Sequence, residues 1–462
     1  MVLSETQKRA LVLSALSFVT LLLAYMFGLN QSQMIAVTVF SFNIYATLLF
    51  WRYRLPFGFL AISVLLALNV IDIPHLIDFA SFDVILFLIS MMIVVGFLEE
   101  RRFFEQLLDR IVDKVGSNGY RLMIILMLVS GLFAALIDAV ISILFMTSLI
   151  LHLTGKHDLN PIPFIMMLVF ATNIGSSATV VGNPIGVMIA FKGGLSFSDF
   201  LRWAMPISAS ALIIAILICL KLFSKNIREL SDSLESDEIM ETKREIDEWD
   251  WFSWIVFIGV IVLLALHHPI EELFHLERNA LLIGFPMAAA GVTFLSNLEK
   301  GREIVERRVD WTTLLFFTLF FASVGALEYV GITDLISTGI LSISGGSVLS
   351  VLLTLTPIAS VLSAFMDNLL AVAMFIPIVS NMAEAGVYSF PLWWAMLFAG
   401  TFFGNLTLIG STANIVANGI LEKEGRGHIT FMEWFKAGAL VSIPTMALAI
   451  FLIWVQMPFM PR

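Results

Sequence analysis

Charged residues are scarce in this chain: Asp, Glu, Lys and Arg make up only 13% of its 462 residues, about half the share that is usual in a soluble domain. Hydrophobic residues make up 59%, and the mean hydropathy is +0.94. This composition excludes an ordinary soluble globule. The net charge is −10 and no basic tract is interleaved with aromatic residues, so nothing in the sequence indicates a nucleic-acid partner.

Cysteine and enzyme motifs are also missing. The single cysteine, Cys219, lies in an apolar segment, can form no intramolecular disulfide and has no zinc-ligand spacing around it. There is no phosphate-binding GxxxxGK[ST] sequence, and neither a Ser-His-Asp nor a zinc-protease pattern is present. We therefore expect neither ATP hydrolysis nor another enzyme activity.

Long apolar runs are what the chain has in abundance. Runs of about 20 residues, the length that crosses a bilayer as a helix, recur from end to end. The polar N-terminus leads directly into the first run, which predicts a start-transfer anchor without a cleaved signal peptide. The fold class is therefore an all-α polytopic membrane protein. Simple spans are predicted at 10–28, 34–51, 56–72, 82–98, 200–222, 251–268, 279–296, 311–330 and 433–457.

Four further apolar stretches carry polar residues that a simple span excludes. An unpaired backbone group in hydrocarbon costs several kcal/mol, so interrupted helices persist only where they line a cavity inside the protein. We predict two re-entrant hairpins, which contain Asp138 and Asp367, and two broken transmembrane helices. The hairpins are 121–153 and 348–382, and the broken helices are 162–191 and 390–420.

Lysine and arginine positions orient the chain. If both hairpins turn back within the membrane, most of the 26 basic residues face the cytoplasm, as the positive-inside rule requires. This predicts a multi-pass protein of the cell membrane with a cytoplasmic N-terminus and an extracytoplasmic C-terminus. The predicted parts are N-terminal scaffold helices (1–81), repeat 1 (82–222), a cytoplasmic charged loop (223–250), further scaffold helices (251–308) and repeat 2 (309–462).

The interrupted segments of the two repeats align without gaps. SGLFAALIDAVISILFMTSLI (130–150) aligns on ASVLSAFMDNLLAVAMFIPIV (359–379), which places Asp138 over Asp367. In the predicted topology the copies enter the membrane from opposite sides, an arrangement typical of secondary transporters that bind substrate between the copies. The alternative is a relic of gene duplication without a site between the halves. The matched broken-helix segments are TNIGSSATVVGNPIG (172–186) and GTFFGNLTLIGSTAN (400–414).

Polar groups in the interrupted stretches are the candidate ligands. Unwound backbone frees carbonyl oxygens suited to a small cation and half-helix N-termini suited to an anion. The alternative for each Ser, Thr or Asn is an interhelical hydrogen bond or a kink. Because they form matched sets that flank matched Asp residues, we interpret them as residues that bind substrate and ions. The candidates are Asp138, Asn173, Ser177, Thr179, Gly182 and Asn183 in repeat 1, and Asp367, Asn368, Asn405, Thr407, Gly410, Ser411 and Asn414 in repeat 2.

Asp138 and Asp367 are the most informative candidates. A carboxylate at mid-bilayer costs on the order of 3 kcal/mol unless it is neutralised or paired. A carboxyl group that loses its proton when a cation binds can exchange one for the other. The alternative, compatible with the first, is an Asp that caps the second helix of its hairpin. Because Asn368 follows Asp367 whereas Ala139 follows Asp138, a single Na⁺ site is expected on Asp367 and Asn368.

Three motifs resemble those of a known family. FMDNLLAVAMFIP (365–377), GNLTLIGSTANIVANGILEKEG (404–425) and FMEWFKAG (431–438) look like the ArsB/NhaD permeases of the ion-transporter superfamily, with motifs most like those of the pigmentation P proteins. The resemblance covers roughly residues 80–460. It implies a homodimer with a static scaffold and a mobile transport domain, built from hairpins and broken helices, that moves as an elevator. It also implies that both Asp residues and the motif residues around them line the site.

Repeat 1 departs from the family pattern. The family usually reads Asp-Asn and then Gly-Asp-Pro-Pro-Asn, where this chain reads Asp138-Ala139 and GNPIG (182–186). The missing carboxylate and amides argue against a second cation site. The related divalent-anion/sodium symporters carry Ser-Asn-Thr where this chain has its two Asp residues. Fixed negative charge at these turns argues against citrate or succinate as the substrate.

The sequence therefore predicts a secondary active ion transporter with an elevator-type alternating-access mechanism, and Na⁺/H⁺ exchange is the first choice. Na⁺ and H⁺ are then the coupling ions, and no other cofactor is expected. The expected partners are the lipid bilayer, a small inorganic ion and a second copy of the chain. Efflux of arsenite or antimonite is the alternative within this class. An anion transporter or a channel-like protein is the third hypothesis.

Overall fold

The structure, a computed structural model, describes residues 4–112, 118–237, 250–296 and 298–461, and all regular secondary structure in these ranges is helical. The helices of the first half are α1 (Glu5–Met26), α2 (Gln31–Leu49), α3 (Arg54–Ala67), α4 (Ile73–Phe79), α5 (Phe82–Glu100), α6 (Phe103–Val112), α7 (Gly119–Leu136), α8 (Ala139–Lys156), α9 (Ile162–Gly175), α10 (Pro184–Gly193), α11 (Phe197–Asp199), α12 (Met205–Leu222) and α13 (Ser224–Asp237). Those of the second half are α14 (Trp251–Phe274), α15 (Ala280–Ser296), α16 (Leu298–Arg307), α17 (Trp311–Tyr329), α18 (Ile332–Ser344), α19 (Val348–Phe365), α20 (Asn368–Glu384), α21 (Phe390–Thr401), α22 (Thr412–Lys423) and α23 (Phe431–Gln456).

Ten helices of the described ranges are long and apolar enough to cross a membrane, which confirms an all-α polytopic membrane protein. The predicted span at 56–72 is corrected to the 14-residue helix α3, which ends before Asn69 takes a left-handed conformation with φ 52°. At 1.5 Å per residue α3 is about 21 Å long, shorter than the roughly 30 Å hydrocarbon core of a bilayer.

Capping residues account for several helix boundaries. At the start of α1, Ser4 and Gln7 form a capping box, in which each side chain accepts a hydrogen bond from the other residue's backbone N–H group. Thr430 and Glu433 form the same arrangement at the start of α23. Each box satisfies two N–H groups that the first turn of a helix leaves unpaired. Long apolar helices therefore begin at defined residues.

The chain divides into two compact units, of which unit 1 consists of Met1–Ile89, Val309–Val351 and Ala373–Ser389. Within unit 1, α17 packs against α4 at Gly325. A Cβ atom at Gly325 would lie 2.1 Å from Cγ of Phe79, a separation that no side chain tolerates. Only glycine therefore permits this approach of the two helices.

Unit 2 consists of Ser90–Arg308, Leu352–Val372 and Phe390–Arg462. Helices α9 and α21 form its core, because every residue of Pro163–Gly175 and Pro391–Thr401 is buried. A helix that is apolar on all sides belongs inside a protein. Both interrupted segments, and the Asp residues at both hairpin turns, lie in this unit.

The helices of the two repeats follow one order. Repeat 1 runs from α5 to α12 and repeat 2 from α17 to α23. Each contains, in this order, a long helix, a short helix, two helices joined at an Asp, a broken helix and a final long helix. Helix α18, absent from the sequence prediction, takes the place in this order that α6 takes in repeat 1. The predicted domain boundaries and the opposite membrane orientation of the repeats stay predictions.

The predicted charged loop 223–250 begins with a helix, α13. Ile227 and Leu230 are three residues apart on one helical face and fully buried. The N–H group of Gly119 donates to Ser231 Oγ at 3.0 Å, so α13 packs on the start of α7. Packing of this apolar face against α7 thus stabilises a helix in a segment that is otherwise rich in charge. Residues 238–249 lie outside the described ranges.

Candidate functional site

The first hairpin turns at Asp138, between α7 and α8. Its Oδ1 accepts hydrogen bonds from the backbone N–H groups of Val140 at 2.7 Å and Ile141 at 3.2 Å. The N–H group of Ala139 donates to the carbonyl oxygen of Gly182 at 3.1 Å, which ties the turn to the first broken helix. Asp138 therefore caps α8, as one of the two sequence hypotheses held. Its Oδ2 forms no hydrogen bond with any residue that the structure describes.

The second hairpin turns at Asp367, whose exposed fraction is 3%. Its Oδ1 accepts a hydrogen bond from the N–H group of Leu369 at 3.0 Å, and its Oδ2 accepts one from Thr412 Oγ1 at 2.7 Å. The amide oxygen of Asn368 accepts from the same Leu369 N–H group, also at 3.0 Å. The carboxylate and amide oxygens of Asp367 and Asn368 therefore face one point at the start of α20.

Each broken helix loses its helical conformation between two capped pieces. After α9, a 3₁₀ turn at Ser176–Ala178 leads to a segment of bends and turns, which ends at Asn183, the N-cap of α10. After α21, a 3₁₀ turn at Phe403–Asn405 leads to Ser411, the N-cap of α22. Asn183 Oδ1 accepts the N–H group of Gly186 at 2.9 Å. The sequence-predicted breaks therefore occur, and polar side chains begin the helices that follow them.

Thr179 and Thr407 occupy matched places in the two breaks. The Thr179 hydroxyl donates to the carbonyl oxygen of Ala135, and the Thr407 hydroxyl donates to that of Ala364. In both copies the acceptor lies at the end of the first hairpin helix, where a helix leaves carbonyl groups unpaired. These hydroxyls therefore join each hairpin to the broken helix of its own repeat.

Gly182 and Gly410 allow the backbone of each break to fold back on itself. A Cβ atom at Gly182 would lie 2.1 Å from the carbonyl oxygen of Ser176, and one at Gly410 would lie 2.7 Å from that of Gly404. Backbone oxygens at such distances leave no room for a methyl group. The aligned glycines are thus required by close packing of the chain, and they leave the neighbouring carbonyl groups in an unwound segment.

A buried network of amides joins the two broken helices. Asn173 Nδ2 donates to Asn405 Oδ1 at 2.7 Å and to Asn414 Oδ1 at 2.8 Å, and Asn173 Oδ1 accepts from Ser411 Oγ at 3.0 Å. Asn414 Nδ2 donates in turn to the carbonyl oxygens of Gly404 and Thr407, both at 2.8 Å. Residues of repeat 1 and repeat 2 are therefore in direct contact at the centre of unit 2.

Two other candidates are engaged inside repeat 1. Ser177 Oγ pairs with Ser208 Oγ of α12 at 2.6 Å and donates to the carbonyl oxygen of Ile174 at 2.7 Å. Asn183 Nδ2 donates to the carbonyl oxygen and hydroxyl of Ser176 at 2.8 and 3.0 Å. Both side chains already hold protein partners. Within the described ranges, the candidate side chains with a hydrogen-bonding atom that has no partner are Asp138, at Oδ2, and Asn368, at Nδ2.

Two polar residues at this site were not among the predicted ligands. Thr412 binds Asp367, and Trp434 Nε1 donates to the carbonyl oxygen of Asn405 at 2.9 Å. Both residues stand inside the motifs that carried the family resemblance, so their sequence signal was present. Neither has an equivalent polar residue in repeat 1 that an alignment of the repeats would have highlighted.

The negative charges of the two Asp residues are stabilised by helix N-termini and hydrogen-bond donors. Among the described residues, no Lys, Arg or His forms an ion pair with Asp138 or Asp367. Each Asp instead lies at the N-terminus of the second helix of its hairpin, where the helix dipole stabilises a negative charge by typically 0.3–1 kcal/mol. Within the described ranges, no three His, Cys, Asp or Glu side chains are grouped as metal ligands. The groups around the two turns are carboxylate, amide and hydroxyl oxygens together with backbone N–H donors.

Hydrogen bonds hold the C-terminal end of α22 and the loop after it, which lie outside the predicted spans. The hydrogen bond from His428 Nδ1 to Glu422 Oε1 at 2.5 Å lowers the pKa of the Glu422 carboxyl, and Asn418 Nδ2 donates to the same oxygen at 2.8 Å. Arg426 Nη2 donates to the carbonyl oxygen of Leu159 at 3.1 Å. The loop after α22 is therefore tied to the connection between α8 and α9.

A family model described as CitMHS, citrate transporter, matches residues 6–399 and 331–461. The chain belongs to the CitMHS family. CitMHS membership and the ten apolar helices make it a multi-pass membrane transporter of the ion-transporter type.

Several individual proteins resemble this CitMHS member. The 46 kDa membrane protein of Mycobacterium leprae is 32% identical over 389 residues, which cover 81% of this chain and 86% of that protein. An uncharacterized transporter of Mycobacterium tuberculosis (strain ATCC 25618 / H37Rv) is 30% identical over 386 residues, with the same coverage. The human P protein is 26% identical over 499 residues, which cover 90% of this chain and 59% of the P protein.

Among solved structures, the crystal structure of the YdaH transporter of Alcanivorax borkumensis has a similar fold. Its TM-score is 0.58 at 14% sequence identity, over 84% of this chain and 87% of that chain. The likeness concerns the fold alone. The CitMHS match and the P protein match confirm the predicted resemblance at the level of the ion-transporter superfamily, while the narrower ArsB/NhaD assignment stays a hypothesis.

Proposed function

We propose that this CitMHS transporter exchanges Na⁺ for H⁺ across the membrane by alternating access. The observation that carries the proposal is a pair of carboxylates, Asp138 and Asp367, at turns that abut broken helices and have no cationic partner among the described residues. A carboxylate in such a place binds a proton or a cation in competition, so uptake of one releases the other. Unwound carbonyl groups supply the further oxygens that Na⁺ takes in discontinuous transporter helices.

We assign the Na⁺ to Asp367 and Asn368. Asp367 Oδ1 and Asn368 Oδ1 are each 3.0 Å from the nitrogen of Leu369, so the two oxygens are neighbours and can share one cation. Asp138 has Ala139 in place of the Asn but keeps an unengaged oxygen. The first repeat therefore offers one ligand where the second offers two.

Citrate is the second candidate, because the description of the family names it. A citrate anion would bring its negative charges to turns that already carry Asp138 and Asp367. Two like charges 4 Å apart repel by about 4 kcal/mol at an effective dielectric constant of 20. The N-termini of α8 and α20, which would otherwise attract its carboxylates, already carry these Asp side chains. The charge of the site therefore favours a cation over free citrate.

Efflux of arsenite or antimonite is the third candidate. Recognition of a neutral trihydroxide requires hydrogen-bonding groups that are not otherwise engaged. The amides of Asn173, Asn405 and Asn414 bind one another or backbone carbonyls, which leaves them little capacity for such a substrate. A channel-like protein, the last candidate, differs from all these in rate rather than in ligands.

We further propose that the hairpins and broken helices form the mobile part of an elevator in a homodimer of the cell membrane. The amide network supports this because it holds both broken helices together, so that they can move as one body. The cytoplasmic N-terminus and extracytoplasmic C-terminus follow from the distribution of Lys and Arg. Cysteine labelling at each terminus of intact cells tests the orientation.

The deciding experiment measures proton movement in proteoliposomes that contain the purified protein and a pH gradient. We expect external Na⁺ to dissipate the gradient, while K⁺ and choline at the same ionic strength do not. Citrate uptake, or arsenite uptake without any response to Na⁺, would exclude exchange and assign the corresponding substrate. A flux many orders of magnitude above transporter turnover would identify a channel.

Two variants locate the exchange within the site. Asp367→Asn should abolish Na⁺-driven proton movement, because the amide cannot carry the exchanged proton. Asp138→Asn should lower the rate without abolishing it, because repeat 1 lacks the neighbouring Asn. Both variants must elute from gel filtration as the parent protein does. Unchanged proton movement in Asp367→Asn refutes the assignment, and equal loss in both variants shows that both repeats take part.

A further inference from the structure

The second hairpin contains a side-chain contact that the first lacks. Thr412 Oγ1 donates to Asp367 Oδ2 at 2.7 Å, while the backbone donates to Oδ1. Both oxygens of Asp367 are therefore engaged. In the first hairpin both backbone donors go to Oδ1 of Asp138, and its Oδ2 has none among the described residues. The two aligned carboxylates thus differ in how firmly they are held.

The sequence accounts for this difference. Thr412 is the first residue of α22, and Pro184, on which it aligns, is the first residue of α10. Proline is favoured at the first position of a helix, because its missing N–H group is not needed there. Threonine has no such advantage at this position, since its hydroxyl caps a helix best from one residue earlier. Thr412 lacks the advantage that Pro184 has at this position, and its hydroxyl donates to Asp367 instead.

The contact joins two helix N-termini at one carboxylate. Asp367 directly precedes α20, and Thr412, which donates to Asp367, is the first residue of α22, so the N-termini of both helices lie next to the same negative charge. With Oδ2 held by Thr412, Oδ1 remains on the side of Asn368, whose amide oxygen shares its backbone donor. The hydroxyl thus sets the rotation of the carboxylate at the place where we assign the Na⁺.

We propose that Thr412 is a positioning residue that determines the affinity of the transporter for Na⁺. The inference rests on the proposed Na⁺/H⁺ exchange and adds to it a residue outside the predicted ligand set. A carboxylate already held by a donor loses less rotational freedom when a cation binds. The hydroxyl also keeps its lone pairs while it donates to Asp367, so its oxygen remains available to the same ion.

A purely structural role for Thr412 predicts a different result. If the hydroxyl only joined the hairpin to α22, its loss would lower stability or the number of active molecules. It would then reduce the maximal rate and leave the KM for Na⁺ unchanged. If it orients Asp367, its loss raises the KM while the maximal rate of folded protein changes little.

The experiment compares full-length Thr412→Val, Thr412→Ser and Pro184→Ala in proteoliposomes over a series of Na⁺ concentrations. Thr412→Val keeps the shape but removes the hydroxyl, and we expect its KM for Na⁺ to rise about tenfold, with a maximal rate within about twofold of the parent. Thr412→Ser should restore the parent KM. Pro184→Ala changes the aligned residue without removing a hydroxyl and should leave the KM unchanged.

The outcomes separate the inference from the proposed function. No response to Na⁺ in the parent protein overturns the exchange proposal and this inference with it. A normal parent and an unchanged KM in Thr412→Val overturn the inference alone. If Thr412→Val does not elute as folded protein, Thr412→Ala makes the same comparison with a smaller side chain. An equal rise in KM for Pro184→Ala also counts against Thr412, because it would trace the effect to helix starts in general.

Discussion

Replacing Asn173 with leucine tests whether the amide network holds the two broken helices together. Leucine fills a similar volume but has neither the two N–H donors nor the oxygen acceptor of the amide. The variant would remove the donors to Asn405 Oδ1 and Asn414 Oδ1, now at 2.7 and 2.8 Å, and the acceptor of Ser411 Oγ, now at 3.0 Å. All three of these partner residues are buried.

The expected loss follows from the number of groups affected. Hydrogen bonds between membrane helices average about 0.6 kcal/mol each in measured cases, so three lost bonds give a lower figure of about 2 kcal/mol. A buried polar group without a partner costs about 1–3 kcal/mol. Small shifts around the introduced leucine would give new partners to some of the three polar groups that lose theirs. We therefore take about 5 kcal/mol as the upper figure for the fall in free energy of unfolding.

The assay is equilibrium unfolding in mixed micelles, followed by the fluorescence of the ten tryptophans. Thr172→Val is the matched control, because Thr172 is the adjacent residue on α9. Among the residues that the structure describes, the Thr172 hydroxyl pairs with Ser130 alone, and Ser130 keeps the carbonyl of Leu168 as a second partner. We expect the control to lose less than about 1 kcal/mol. A loss in Asn173→Leu no larger than that of the control would refute the reasoning.

Further predictions concern packing and access in unit 2. Gly182→Ala should prevent folding, because its Cβ would lie 2.1 Å from a carbonyl oxygen, while Gly259→Ala, with open space around it, should elute normally from gel filtration. Trp434→Phe removes the donor to Asn405 O and should lower the free energy of unfolding by about 1 kcal/mol, measured as above. Cys219 is fully buried, so a maleimide should label it only after denaturation, and rapid labelling of native protein would contradict its placement.

The sequence predicted the parts of the site that depend on composition and alignment. Asp138 and Asp367 stand out because an ionisable residue in an apolar run is rare, and the gapless alignment of the repeats placed both at corresponding turns. Gly182 and Gly410 stand out because the alignment of the repeats places them at corresponding positions of the two broken helices. The start of the second helix of each hairpin is then also predictable, since an Asp at a break is a favoured N-cap.

The network and the contact of Thr412 were not predictable in this way. The repeat alignment points to matched residues, whereas Asn173 binds Asn405 and Asn414, which align elsewhere. Which amide meets which depends on the packing of α9 against the second break, a long-range contact that no local pattern encodes. Helix α13 was missed for a related reason, because its charged surface concealed the two buried positions that hold it.

The amide network that joins the two broken helices is not symmetric between the repeats, and this bears on the origin of the chain. A dimer of two identical ancestral halves would have carried the same residue at both aligned places, and each contact between the halves would have occurred twice. Here each amide has a non-amide counterpart, so the present core requires halves that mutate separately. Two halves with separately encoded residues, as in this single polypeptide, meet that requirement. The aligned pairs are Asn173 with Thr401, Ser177 with Asn405, and Gly186 with Asn414.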